Sequence, residues 1–252
     1  MTRPAASAGG GVARTPASGR DGVTQPIAFY YGAGELDRLT RFDKVVLQAD
    51  FYSRQELGLL RERGVQTLGY LSLTEDVGPR APWQRAERNP DWGGAFVHVG
   101  DPRWVAHVVD QATRAMATGF RGLFLDTLNI EHNYPEDLPH LLILIAAIQE
   151  EARPAYLLAN RGFGLLPEIA GLVDGILFES FSARWVDAGR YEPWPDDVLE
   201  AHAEVAERLL GLDVDLYALD YADSDELRDF AQRRAREFGM LCFVSDRVLS
   251  TI

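Results

Sequence analysis

The feature that most restricts how this chain can fold is an alternation that begins near Gln25 and runs almost to the C-terminus. Short apolar runs rich in Val, Ile, Leu, Phe and Tyr recur between longer stretches whose apolar residues return every three or four positions. The runs at 27–31, 44–49, 66–72, 122–126, 155–160, 175–179, 215–219 and 240–244 read as strands. The stretches at 53–63, 103–118, 135–151, 195–210 and 224–238 read as helices. Gly64, Gly119, Gly211 and Gly239 follow four of them, where a helix end favours a residue that tolerates positive φ. Strands separated by helices pair in parallel through right-handed crossovers. Eight of them in about 220 residues fit a closed (β/α)8 TIM barrel of the α/β class. An open doubly wound sheet is the rival, but Gly32-Ala33-Gly34 does not continue into the G-x-G-x-x-G turn of that fold.

The barrel is expected over residues 27–252 as one domain. Residues 1–26, rich in Ala, Gly, Ser, Thr and Pro, have too few apolar groups to offset their ordering entropy and are expected to be disordered. They also lack the apolar centre of a secretory signal. One stretch breaks the alternation: about thirty residues, 73–102, separate the third strand from its helix, and long ordered loops are commonly functional.

Composition removes several function classes. Net charge is -13, which disfavours nucleic acid and anionic lipid and suits a cationic ligand. No apolar run is long enough for membrane insertion. Cys242, the single cysteine, lies in an apolar run and reads as a buried, inert thiol. Lys44 is the only lysine and starts the second strand, at the end remote from a barrel's chemistry, so an aldolase-type Schiff base has no amine. His98, His107, His132, His140 and His202 show neither H-x-H nor H-E-x-x-H spacing, and no G-x-S-x-G elbow occurs. The loops after the seventh and eighth strands are acidic rather than glycine-rich, which disfavours a phosphorylated substrate. No metal and no cofactor are expected.

Barrel enzymes place their chemistry where the strands end. Those positions hold Tyr30 and Tyr31, Asp50, Tyr70 with Glu75 and Asp76, Asp126, Asn160, Glu179, Asp220 with Tyr221, and Asp246. Acidic residues just past a strand also serve as helix caps or loop solubilisers, and Asp50, Asp76 and Asp246 carry that second reading. Asp126 and Glu179 differ because each directly ends an apolar strand, Gly-Leu-Phe-Leu-Asp126 and Gly-Ile-Leu-Phe-Glu179. Desolvating a carboxylate costs several kcal/mol, so such positions need a reason. Strands four and six face one cavity with a single strand between them, which should bring the two carboxyl groups within about 5–6 Å, the spacing of a retaining glycosidase. Structural carboxylates tying down loop amides are the competing reading. Trp83 and Trp92 in the long loop, with Trp185 and Trp194 after the sixth strand, supply flat rings of the kind that stack on sugars.

At these same residues the chain resembles a known group. Gly-Leu-Phe-Leu-Asp126-Thr-Leu-Asn129, Ala159-Asn160-Arg161-Gly162-Phe163 and Leu177-Phe178-Glu179-Ser180 are similar to the hydrolase domain of the Pel polysaccharide-processing protein and to the related endo-α-1,4-polygalactosaminidases. Gly69 to Glu75 is similar to a Tyr–Ser–Gly–Glu element of both. The likeness runs from about Ile27 to Asp246. It departs at Asn129, where a second Asp is expected, and at Thr74, where Gly is expected. The resemblance implies endo-cleavage of an α-1,4-linked galactosamine or N-acetylgalactosamine polysaccharide, cationic where deacetylated, and an extracytoplasmic location. By motif position the carboxylates are Asp126 and Glu179; by analogy with α-acting barrels, which put the nucleophile on the fourth strand, Asp126 is the expected nucleophile and Glu179 the general acid/base, and the exchanged roles stay open. Tyr31, Asp50, Tyr70, Glu75, Asn129, Asn160, Arg161, Trp185, Asp220 and Tyr221 form the expected substrate-contacting set. The alternative is a catalytically silent barrel that binds polysaccharide. Oligomeric state is not legible.

Overall fold

The computed structural model describes residues 25–187 and 189–252. The expected disordered segment lies outside these up to Thr24, while Gln25 and Pro26 belong to the first strand. Eight parallel strands are hydrogen-bonded in sequence order. They are β1 (Gln25–Tyr30), β2 (Phe42–Leu47), β3 (Gln66–Ser72), β4 (Gly122–Asp126), β5 (Leu157–Asn160), β6 (Gly175–Glu179), β7 (Asp215–Tyr221) and β8 (Leu241–Ser245). β8 returns to β1, where the Tyr31 N–H donates to Leu249 O at 2.8 Å and the rings of Phe29 and Phe243 lie 6.1 Å apart. The result is the expected (β/α)8 barrel.

The helices between the strands start where the sequence offers caps. Ser53 and Glu56 form a capping box at the head of Arg54–Glu62, and Asp101 caps Pro102–Thr118 with Pro at the first turn. Ser224 caps Asp225–Glu237. Gly64, Gly119 and Gly239 adopt positive φ as expected. Gly211 does not: its φ is -80°, because the helix Asp196–Leu210 runs out through an ordinary right-handed turn.

Two additions rise from the C-terminal end of the barrel. Residues 73–102 contain a three-stranded antiparallel sheet with Ala95–Val97 between Glu75–Asp76 and Gln84–Arg88. A hairpin, Ala183–Asp187 with Arg190–Pro193, follows β6. Its alternation is too charged to read as a strand pair from sequence. Trp104, fully buried, ties the first addition down by donating from Nε1 to Leu73 O at 2.9 Å. Lys44 lies at the opposite end, with Nζ 4.9 Å from the centre of the Tyr156 ring, where Tyr156, Tyr217 and Asp215 share hydrogen bonds. Among the described residues no helix is long and apolar enough to cross a membrane. Cys242 is half-buried, and burial pushes its thiol up, as an inert cysteine requires.

A strand's side chains alternate between its two faces, so one residue in two enters the barrel. On β4 the inward set is Gly122, Phe124 and Asp126; on β6 it is Gly175, Leu177 and Glu179. Phe124 meets Phe29 with ring centres 5.4 Å apart and Tyr70 at 6.1 Å, filling the middle layer. Gly122 belongs to the bottom layer, where β4 and β5 crowd together. A Cβ there would stand 2.3 Å from Tyr156 O and 2.6 Å from a Leu68 methyl. Gly122→Ala should therefore lower stability by about 3 kcal/mol, at the upper end of overpacking costs, because backbone must move. Urea unfolding of the purified variant checks this, and a loss under 1 kcal/mol would show that the bottom layer yields.

Candidate active site

The top inward layer is polar. Asp126 on β4, Asn160 on β5, Glu179 on β6 and Tyr221 on β7 stand on neighbouring strands, with Tyr31 and Tyr70 completing the ring from β1 and β3. They form the floor of a cavity of about 780 Å³. The Asn160 amide nitrogen donates to Asp126 Oδ1 at 2.7 Å and to Glu179 Oε2 at 2.6 Å. The two carboxylate oxygens can therefore be no farther apart than those two legs end to end, as the strand count leads one to expect. Tyr221 donates its hydroxyl to the other Glu179 oxygen, and the Tyr70 hydroxyl faces Asp126.

Every partner named here is a neutral donor. Burial, then the Glu179 charge, hold the Asp126 carboxyl above the usual carboxylate range, against the bonds from Asn160 and Tyr70. Burial and the same negative charges push the phenols of Tyr31, Tyr70 and Tyr221 up, so all three stay protonated. Glu75, beside this group, is also raised by burial; its Oε1 accepts from Asn89 Nδ2 at 2.8 Å.

Each of the three strand ends is followed by a left-handed residue that is not glycine: Thr127 (φ 65°), Arg161 (φ 60°) and Ser180 (φ 55°). Such backbone costs roughly 1–2 kcal/mol per residue. It turns the chain sharply at the last inward side chain, and all three residues line the cavity. Thr127 also joins β4 to the addition after β3. Its Oγ1 accepts from the N–H of Leu73 at 3.2 Å and of Thr74 at 3.0 Å, while the Thr74 hydroxyl donates to Thr127 O at 2.6 Å. The departure at Thr74 thus has a structural use.

Of the expected contact set, Tyr31, Tyr70, Glu75, Asn129, Asn160, Arg161 and Tyr221 line the cavity. Asn160 is buried with its nitrogen engaged by both carboxylates, so it braces them from the cavity floor. Three expectations need correction. Asp220 is wholly buried because it has the opposite pleat parity to Tyr221. Its Oδ1 accepts from the N–H of Ser182 at 2.8 Å and of Ala183 at 2.9 Å, fixing the loop after β6. Asp50 is exposed in a short 3-10 turn beyond β2 and lies outside the cavity lining, where Gln48 takes the inward place. Trp185 stands outside the lining and packs on Arg247.

Two of the other tryptophans are packing residues. Trp83 donates from Nε1 to Asp76 at 2.8 Å and stacks on His107, and Trp194 donates to Ser180 O at 2.8 Å. Asp76 and Asp246 hold loops through hydrogen bonds, neither of them as a helix cap; Asp246 accepts from Ser250 and Thr251. Sequence reasoning passes over Gln48, Ser72, Asn89 and Asn133, which also line the cavity; for Gln48 and Ser72, counting inward parity along β2 and β3 is the signal that finds them.

The glycoside hydrolase domain of PelA from Pseudomonas aeruginosa superposes with a TM-score of 0.81 at 30% sequence identity, over 90% of this chain and 96% of that one. The chain belongs to the glycoside hydrolases of the PelA type. No family model matches it. This chain also resembles Ega3 of Aspergillus fumigatus, solved with galactosamine, at a TM-score of 0.70 and 10% identity over 95% of this chain and 97% of that one; at that identity the likeness is one of fold. An uncharacterised protein of Deinococcus radiodurans is 25% identical over 213 residues, 75% of this chain and 67% of the relative.

Burial lifts the Asp220 carboxyl to about 6 against the two backbone bonds that lower it. A raised folded-state value means that stability from this group is fully present below the unfolded value near 4 and is lost as pH rises through about 6. Asp220→Asn should keep the Oδ1 contacts and remove this loss, so its melting temperature should gain on the parent between pH 4 and 7. Asp220→Leu should cost about 2–4 kcal/mol at every pH by leaving two buried N–H groups unpaired. Parallel pH profiles for Asp220→Asn and the parent would refute the assignment.

Proposed function

We propose that this PelA-type barrel is an endo-acting, retaining glycosidase of α-1,4-linked galactosamine and N-acetylgalactosamine polysaccharide. The observation that carries the reaction type is the Asn160 amide bonded to both Asp126 and Glu179. Its two short legs keep the nearest carboxyl oxygens inside the roughly 5–5.5 Å associated with retention, which supports retention over inversion. The polygalactosamine substrate rests on the relatives: PelA by sequence and fold, Ega3 by its bound galactosamine. A cavity of about 780 Å³, floored by the carboxylates and bordered by the addition after β3 and the loop after β8, has room for several sugar units and favours attack within a chain.

In this reading Asp126 attacks C1 from the face opposite the leaving group while Glu179 gives its proton to the departing glycosidic oxygen. The glycosyl ester so formed is cleaved by a water that Glu179 deprotonates, and the product keeps the α-configuration. Tyr70 and Asn160 hold the attacking carboxylate, and Tyr221 orients Glu179. The upward shift at Asp126 favours a second reading with the two roles exchanged. Azide separates them: a retained α-azide is expected from Glu179→Ala and an inverted β-azide from Asp126→Ala, and the reverse pattern assigns the roles the other way.

The substrate reading is tested with partly deacetylated α-1,4-galactosaminan. Shortened oligomers should appear, with α-anomers first by NMR; an initial β-anomer overturns retention, and intact polymer overturns the substrate. Asn160→Ala should lower kcat about 10²-fold by loosening the pair. Because the Asn160 bond lowers the Asp126 carboxyl, its loss should also move the acidic limb of the kcat/KM profile to higher pH. An unmoved limb would mean that Asn160 does not brace Asp126.

A further inference from the structure

Among the described residues nine large apolar side chains are exposed, and they are not scattered evenly. Val77, Trp92 and Val248, at 85%, 58% and 60% exposure, all line the mouth of the catalytic cavity. Trp185, at 40%, stands next to them outside the lining. Exposed apolar side chains gathered at one site mark a surface that meets another molecule.

Trp92 is exposed without being loose. The Arg247 guanidinium lies 4.7 Å from the centre of the Trp92 ring and 4.1 Å from that of Trp185, so it is sandwiched between two indoles. Arg247 Nη2 pairs with Asp91 Oδ2 at 3.1 Å, and the Arg247 N–H donates to the Tyr191 hydroxyl at 2.9 Å. Three separate loops, after β3, β6 and β8, are thereby pinned at one guanidinium. One face of Trp92 is spent on Arg247, and the rest of the ring borders the cavity. A ring already held still loses little entropy when something stacks on it.

We propose that Trp92 is a platform for the apolar face of a hexopyranose unit at the cleft mouth, away from the bond being cleaved, and that Arg247 is the positioning residue that holds it. Aromatic rings bind sugar faces through their apolar patches of C–H groups, and Trp offers the largest surface for this. Asp91 balances the guanidinium behind the ring, so the platform reads ring shape rather than amine charge. The inference rests on the glycosidase reading above, since it assigns a subsite to that cleft. It predicts that chains long enough to span from Asp126 and Glu179 to the mouth bind through a contact that short ones never make.

The test is a chain-length series of α-1,4-galactosamine oligomers and polymer with the full-length protein and its Trp92→Ala, Trp92→Phe, Arg247→Ala and Arg247→Lys variants. For the longest chains Trp92→Ala should raise KM about tenfold, which is about 1.4 kcal/mol, with kcat changing less than twofold. The penalty should shrink as chains shorten and should persist at high salt. Trp92→Phe should lose less. Arg247→Lys keeps a charge for Asp91 but no flat surface, and should show the same chain-length dependence as Arg247→Ala. Equal penalties at all lengths, or a fall in kcat alone, would assign these residues a purely structural role and overturn the platform. If the parent binds the polymer without cleaving it, the enzymatic reading fails, and a tenfold weaker fluorescence-monitored affinity in Trp92→Ala still upholds the platform. If the parent neither binds nor cleaves, both fail.

Discussion

The structure depends on the pleat of a nearly closed sheet. Once eight strands curl into a barrel, each sends every second residue into a shared interior, and a shift of one residue turns a whole strand inside out. The apolar residues of β4 and β6 settle that register, and Asp126 and Glu179 follow as the next inward positions above Phe124 and Leu177. Placing two carboxylates at the rim of an oily interior is costly in isolation. Here the cost is offset from the neighbouring strand: Asn160 lies between them and gives one hydrogen-bond arm to each. The partners are amide and phenol groups rather than cations, so burial and the Glu179 charge hold the Asp126 carboxyl above the usual range, the feature that favours the exchanged roles.

Much of this was legible in the sequence, for a physical reason. Barrel strands are covered on both faces, so they appear as unbroken apolar runs, and the residue ending such a run is conspicuous. Asp126, Glu179 and the barrel itself were read this way. Parity was the weak point. Asp220 and Tyr221 end the same strand, and only the register tells which one enters the cavity; both were assigned to it, and Asp220 instead holds the Ser182–Ala183 backbone from outside. Asn160 was recognised as belonging to the site, but its neighbours in space lie on other strands, so its part as a brace was beyond reach of local pattern.

The two additions were hardest to read. Their strands are short, charged and stabilised by particular side chains such as Asp76, which gathers Gly78, Trp83 and Gln84. Apart from the apolar run 95–99, which supplies the central strand Ala95–Val97, no periodicity announces such a structure. Tryptophan placement was a partial guide for the same reason. Trp83 and Trp194 share the loops of Trp92 and Trp185, yet find backbone or carboxylate partners and become scaffold. Whether a ring in these loops faces solvent or packs is decided by contacts tens of residues away.

The left-handed turns at Thr127, Arg161 and Ser180 bear on how such a protein drifts under laboratory evolution. Glycine adopts this conformation without the Cβ penalty, so part of roughly 1–2 kcal/mol is recoverable at each position. Selection for thermal tolerance alone will find such substitutions at Arg161 and Ser180, whereas at Thr127 the loss of the Oγ1 bonds to the Leu73 and Thr74 N–H groups opposes them. Each would take a side chain from the cavity wall and loosen the turn behind a carboxylate or its brace. A library screened only for heat resistance would therefore enrich sturdier barrels whose sites have quietly come apart.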